Sequence, residues 1–405
     1  FRKTHALDSA ELIFGNGLVR SEGEFHLHQR RLVQPAFHRE RLAAYAPAVT
    51  EVAVEARQRW QAGQTLDMFT EMMRLTASVA TTVLFTSNVE ADFEQLNRDL
   101  TIVVEYLDQL AVPFARVVSR LPSPSRLRFL AARRRLDTLI YRMLRERRVS
   151  GQRCGDVLGM LLAAQDHEGD GLGMSDRQAR DEAMTMFLAG HETTATALTW
   201  TWYLLGQHPS TEKRLREELN TVLGGRLPTF ADIERLSYMR MVIAESMRLY
   251  PPVWAITRRA LADYAFGEWL LPAGTTIGMS QYVMHRDPRY YPDPERFDPL
   301  RWTEEETAKR PKFSYFPFGG GLRLCIGERF AWMEATLILA TLCQSWQART
   351  LPGYQVRFQP LIALRPRGGM PMHLERPSAP EPRRTHETQG TLELHASAGL
   401  RATSV

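Results

Sequence analysis

Residues from about 177 to 206, RQARDEAMTMFLAGHETTATALTWTWYLLG, contain no proline and turn steadily more apolar. Read as one helix, this run would be about 45 Å long, enough to cross an entire domain. Other segments carry the same period. From about 126 to 148, Leu127, Leu130, Leu136, Leu139, Ile140 and Leu144 recur at helical spacings, with arginines on the remaining faces. Before it, LPSPS at 121–125 reads as a break between helices. A further helix is expected from about 231 to 249, stopped by Pro251 and Pro252. The stretch 265–280, AFGEWLLPAGTTIGMS, has the short apolar runs and Gly/Pro punctuation of strands and turns, and a last strand-like region ends near LRPRGGMPMHLE.

The expected fold is one mainly α domain with a minor β part over residues 1–376, and 377–405 is expected to be a disordered tail that has lost its apolar content. Hydrophobic residues make up 44% and charged ones 24%, which suits a large-cored globular chain. No stretch approaches the roughly 20 uninterrupted apolar residues of a membrane helix. The arginine-rich 126–148 region has no nucleic-acid fold signature beside it and reads as a solvated helix face, so no nucleic-acid partner is expected. A net charge of +5 is mild, and what excess there is favours an acidic protein partner.

Three cysteines, Cys154, Cys325 and Cys343, form neither a disulfide framework nor a CxxC zinc pair, and fit a reducing compartment. Cys325 stands in FGGGLRLCIG, between glycines and an apolar helical segment that starts near Gly327. A phosphate loop would need Lys-Ser/Thr after the glycines, and none follows. A catalytic thiol wants a base, and no histidine is close in sequence. A packed core thiol is the ordinary alternative. Against it, a helix N-terminus favours thiolate over thiol, and Gly319, Gly320 and Gly321 let the backbone pass close to something flat and bulky. A single thiolate without other Cys or His ligands nearby suits a haem iron.

Phe318, Gly321, Arg323, Cys325 and Gly327 match F-x-x-G-x-R-x-C-x-G, and here the chain resembles the cytochrome P450 family. The resemblance implies that Cys325 binds the iron of haem b, that Arg323 meets a haem propionate and that Phe318 packs beside the sulfur. It places the haem between the long central helix and the helix after the Cys loop. In ESMR it gives Glu245 and Arg248, to be joined by Arg296 of PERF in a buried structural triad. AGHETT, 189–194, is no H-E-x-x-H zinc site, since position 195 is alanine. It resembles the family's acid–alcohol pair, Glu192 and Thr193, which would deliver protons to bound oxygen, beside a helix loosened at Gly190. His26 and Arg30, four apart in EFHLHQRR, resemble further propionate contacts, with His28 as an alternative, and so does Arg258, with Arg259 as its neighbouring rival. HRDP at 285–288 also matches, without a chemical role attached.

The resemblance runs from about residue 15 to 375. It implies that the family's N-terminal segment is missing here, and a membrane anchor with it if one existed. The activity it implies is insertion of one atom of O2 into a hydrophobic small molecule: a fatty acid, terpenoid or polyketide. Electrons would come from a separate ferredoxin or flavodoxin-like protein with its reductase, docked on a basic face. Met184, Phe187, Ala189, Val253, Ala255 and Ile362 are expected to line the substrate pocket. The enzyme is expected to be a cytoplasmic monomer. The rivals are a peroxide-using or peroxide-rearranging haem-thiolate enzyme, a haem sensor without turnover, and a protein with no haem in which Cys325 is merely packed.

Overall fold

A computed structural model describes residues 1–4, 10–85, 93–110, 123–150, 155–165 and 173–377. The expected tail therefore lies, but for Pro377, outside the described residues, as does Cys154. The long run is a single helix, Asp176–Gln207. Ser175 caps it reciprocally with Gln178, which satisfies two N-terminal backbone donors and sets the start. This central helix is buried on almost every side, down to Trp200 and Trp202 at 1% and 0% exposure. That explains its weak polar periodicity: it has no broad face to give to water.

Other helices pack around it. Met68–Phe85 lies along one flank, and Glu328–Cys343, which follows the Cys loop, packs against both Arg39–Arg59 and the central helix. The arginine-rich segment is the helix Pro124–Ser150, and its partner Phe93–Leu110 lies alongside. Ser237–Leu249 ends just before the Pro251–Pro252 pair, as expected. Its start is later than the pattern suggested, because Phe230–Arg235 forms a separate 3₁₀ turn.

The β part is small and antiparallel. Strand β1 (Thr65–Asp67) pairs with β9 (Pro371–Glu375), which also pairs with β6 (Gln347–Thr350). Strand β2 (Ile256–Arg259) pairs with β5 (Thr276–Met279), with Arg258 opposite Ile277. Strands β3 (Tyr264–Phe266) and β4 (Trp269–Leu271) make a hairpin around Gly267 and Glu268, where Gly267 takes the positive φ of a tight turn. Strands β7 (Phe358–Pro360) and β8 (Leu364–Pro366) form a last pair.

The Glu245–Arg248 pair is fully buried, with two hydrogen bonds of 2.8 Å between carboxylate and guanidinium. Arg248 donates onward to the carbonyls of His285 at 2.9 Å, Pro294 at 2.7 Å and Arg296 at 3.0 Å. The expected triad is corrected here. Arg296 brings its backbone carbonyl, and the second guanidinium at Glu245 belongs to Arg301, whose Nε lies 3.4 Å from Oε1. The backbone N–H of Asp298 and the indole of Trp302 complete the carboxylate, each at 2.9 Å. The 3₁₀ turn Pro299–Trp302 carries Arg301 and Trp302 inward together, whereas Arg296 precedes it.

Candidate active site

The Cys loop is held from three directions. The backbone N–H of Phe316 donates to His285 Nε2 at 3.0 Å, so the HRDP histidine anchors the loop's entry. Burial and nearby Arg248 push this imidazole down to about 3, so it stays neutral and able to accept. Arg30 donates to the Leu324 carbonyl at 2.9 Å, and Arg323 to the Ser21 carbonyl at 2.8 Å and to Glu22. Within the loop, Cys325 N–H donates to Phe318 O at 3.0 Å. Gly319 and Gly321 sit at φ +75° and +65°, a left-handed backbone that side chains resist.

This loop faces a cavity of about 440 Å³. From the loop side it is lined by Phe318, Gly319, Arg323, Cys325 and Gly327. From the central helix come Glu182, Thr185, Met186, Ala189, Gly190, Thr193 and Thr194. These recur every three or four residues and so form one helical stripe. Thr193 Oγ1 donates to the Ala189 carbonyl at 2.7 Å while lining the cavity. At one end gather His26, Arg30, Arg258, Arg323 and Lys3. The mutual repulsion is visible on His26, which burial, Arg323 and Lys3 push down to about 4. Burial likewise lowers Lys3 to about 7, with Arg323 adding to it.

Five predicted cofactor contacts besides Cys325 thus share the cavity: Phe318, Arg323, His26, Arg30 and Arg258. Gly327 lines it too, as the N-cap of Glu328–Cys343, while Gly321 shapes the loop without facing the cavity. The acid–alcohol pair is split. Glu192 points off the stripe, 7% exposed, and its carboxylate is paired with Arg365 on β8. Among the six predicted pocket residues, Ala189 and Val253 line the cavity. Met184 and Phe187 belong to the neighbouring face and are buried in the core. Ala255 lies outside the lining, and Ile362 is 47% exposed at the surface. The register was misplaced because Met184 and Phe187 are as apolar as Met186 and Ala189; hydrophobicity alone does not choose between faces of an all-round buried helix.

A helix terminus does not by itself make Cys325 a thiolate. The sulfur is reached from the cavity, yet the surrounding protein pushes the thiol above its ordinary value, with Gly327 N–H pulling the other way. A cation beside the sulfur is what would hold the thiolate. Haem fits the other features as well. A Cβ built on Gly190 would meet nothing within 4 Å and would intrude on the open space beside the helix, so glycine there leaves room for a flat group. The cationic end suits two carboxylates.

Comparison with known proteins agrees. Residues 1–369 match the family described as Cytochrome P450. The chain is 42% identical over 360 residues to cyclooctatin synthase of Streptomyces melanosporofaciens, covering 88% of this chain and 78% of that one. It is 40% identical over 354 residues to cyclooctat-9-en-7-ol 5-monooxygenase of the same organism, covering 87% and 77%. Pentalenene oxygenase of Streptomyces avermitilis is 36% identical over 352 residues, covering 86% and 78%. Among solved structures, retinoic acid-bound cyanobacterial CYP120A1 superposes with a TM-score of 0.83 at 28% identity, over 90% of this chain and 82% of that one. This chain belongs to the cytochrome P450 family.

Proposed function

We propose that this P450 is a haem-thiolate monooxygenase that oxidises a terpenoid hydrocarbon or simple terpenoid alcohol, with electrons from a separate ferredoxin or flavodoxin-like protein. The observation that carries this reading is one cavity shared by Cys325, Thr193, a cationic end and a mostly apolar remainder. The relatives named for cyclooctat-9-en-7-ol and pentalenene support the substrate class.

When bound, haem supplies the activation of O2 that no side chain here can perform. The protein's own residues do the rest. Cys325 Sγ would hold the iron, and His26, Arg30, Arg258 and Arg323 would hold the haem carboxylates. The Thr193 hydroxyl, once released from the Ala189 carbonyl, can pass a proton into the cavity. Glu192, paired with Arg365, orients the helix turn that presents Thr193. Apolar walls at Val19, Leu84 and Val253 exclude water and favour a hydrocarbon.

In this reading reduction falls to a separate partner protein. Turnover of a sesquiterpene with a surrogate 2Fe–2S ferredoxin and its reductase under ¹⁸O₂ tests the reading. One labelled oxygen in the product is expected. Product formed from hydrogen peroxide alone, with none from O2 and reductant, would favour the peroxide-using reading instead.

A further inference from the structure

Among its described lining residues the mostly apolar cavity has one carboxyl, Glu182, one of whose oxygens neither the fold nor the oxygen chemistry uses. Glu182 is 1% exposed and sits on the same stripe of the central helix as Ala189 and Thr193. Its Oε2 accepts from the Leu18 backbone N–H at 3.1 Å, which fixes the side chain's direction. Glu182 lines the cavity, and its Oε1 is buried with no hydrogen-bond partner among the described residues. A buried polar atom left unpaired costs about 1–3 kcal/mol unless something supplies the bond. Gln281 also lines the cavity and its Oε1 is also buried and unpartnered, but it opens the short helix Gln281–Met284 and so does not share the central-helix stripe.

Resting on the hydrocarbon-oxidising reading above, we infer that Glu182 is the substrate anchor: its free oxygen hydrogen-bonds a hydroxyl on an otherwise hydrocarbon substrate and thereby chooses which carbon reaches the oxygen site. A hydroxyl is favoured because it both donates and accepts, so it matches the carboxyl in either protonation state. Burial raises Glu182 to about 8, opposed by the Leu18 N–H. A neutral carboxyl of this kind gives no particular welcome to an ammonium, and its ionised form would repel a substrate carboxylate. The geometry also limits regiochemistry. Glu182 and Ala189 are seven residues apart on one helix, about 10 Å along its axis. The anchored hydroxyl and the oxidised carbon then stand near opposite ends of a skeleton of that length.

The test is equilibrium binding to the haem-loaded enzyme, followed by the shift of its Soret band, with cedrol, its parent hydrocarbon cedrene, and an amine of the same skeleton. Wild type is expected to bind cedrol about tenfold more tightly than cedrene. Glu182→Leu should abolish that preference, and Glu182→Gln, which keeps size and a hydrogen bond to Leu18, should retain most of it. Equal affinities in wild type, a preference that survives Glu182→Leu, or an amine that outbinds the alcohol would each overturn the anchor. Cedrene binding with no alcohol preference would leave the hydrocarbon pocket standing and refute only the anchor. Binding of none of the three would count against the pocket reading and the anchor together.

Discussion

The carboxylate of Glu192 is clamped by the guanidinium of Arg365, which reaches it from β8 across 173 residues of sequence. Both side chains are largely buried, so the pair fixes the central helix to the last part of the fold next to the cavity-lining Thr193. Arg365 also lies over the Phe69 ring, with its guanidinium carbon 5.9 Å from the centroid.

Removing one partner strands the other charge away from water. Arg365→Gln is expected to lower stability by about 3–5 kcal/mol. The double variant Glu192→Gln with Arg365→Gln should lose clearly less than the sum of the singles, as read from urea unfolding. Additive losses would mean that the pair is not coupled.

Thr193 makes only a local bond back to Ala189, so its role should show in chemistry and not in folding. Thr193→Ala should leave the unfolding midpoint within about 1 kcal/mol of wild type. It should divert reducing equivalents to hydrogen peroxide by several-fold relative to product. Tight coupling in this variant would refute a proton-delivery role.

The corrected lock around Glu245 separates two arginines that are five residues apart. Arg301→Leu removes a charge from the buried carboxylate and should cost on the order of 1–3 kcal/mol. Arg296→Leu keeps the carbonyl that Arg248 uses and should cost less than about 0.5 kcal/mol. The reverse ranking in chemical denaturation would return Arg296 to the triad.

Acid should weaken the fold through its buried imidazoles. His285 falls from 6.5 to about 3 on folding, mainly by desolvation, and His191 falls to about 4 for the same reason. A depressed histidine means that the unfolded chain binds the extra proton. Their contribution is therefore fully present above pH 6.5 and is lost as pH drops toward 3. Glu182 and Glu334 act oppositely: burial raises each to about 8, so their contribution is full below about 4.5 and is lost as pH rises toward 8. His285→Asn should flatten the acid limb of a stability–pH curve without moving the alkaline one. An unchanged acid limb would show that His285 does not stay neutral in the fold.

Reduction by an acidic ferredoxin should depend on the helix Gly23–Val33, which adjoins the Cys loop through Arg30 and Leu324. Arg31→Glu should slow reduction severalfold at low salt, with the difference shrinking as ionic strength rises. A rate indifferent to both would place the docking face elsewhere.

The long helix, the Cys loop and the small β part were legible in the sequence because each rests on local rules: period, glycine placement and proline stops. Cys325 was singled out by its glycine loop and helix start, Arg323 also by charge, and Phe318, His26, Arg30 and Arg258 by resemblance to the family's motifs. What escaped was set by tertiary approach. No local pattern says that Arg301 and not Arg296 turns inward, that His285 receives the Cys-loop backbone, or that Arg365 comes from the far end of the chain to take Glu192. Glu182 was missed for a related reason. It follows Arg180 and Asp181 in RDE and reads as one more charged residue at a helix start, and only burial singles it out.

The central claim is that Cys325 holds a haem iron as thiolate in this cavity. The most direct measurement is the absorbance difference, with and without carbon monoxide, of the dithionite-reduced protein expressed with ample haem. A strongly red-shifted Soret band is predicted, and it should be lost in Cys325→Ser. A band at the ordinary haem position, or no haem at all in a folded protein, would contradict the account.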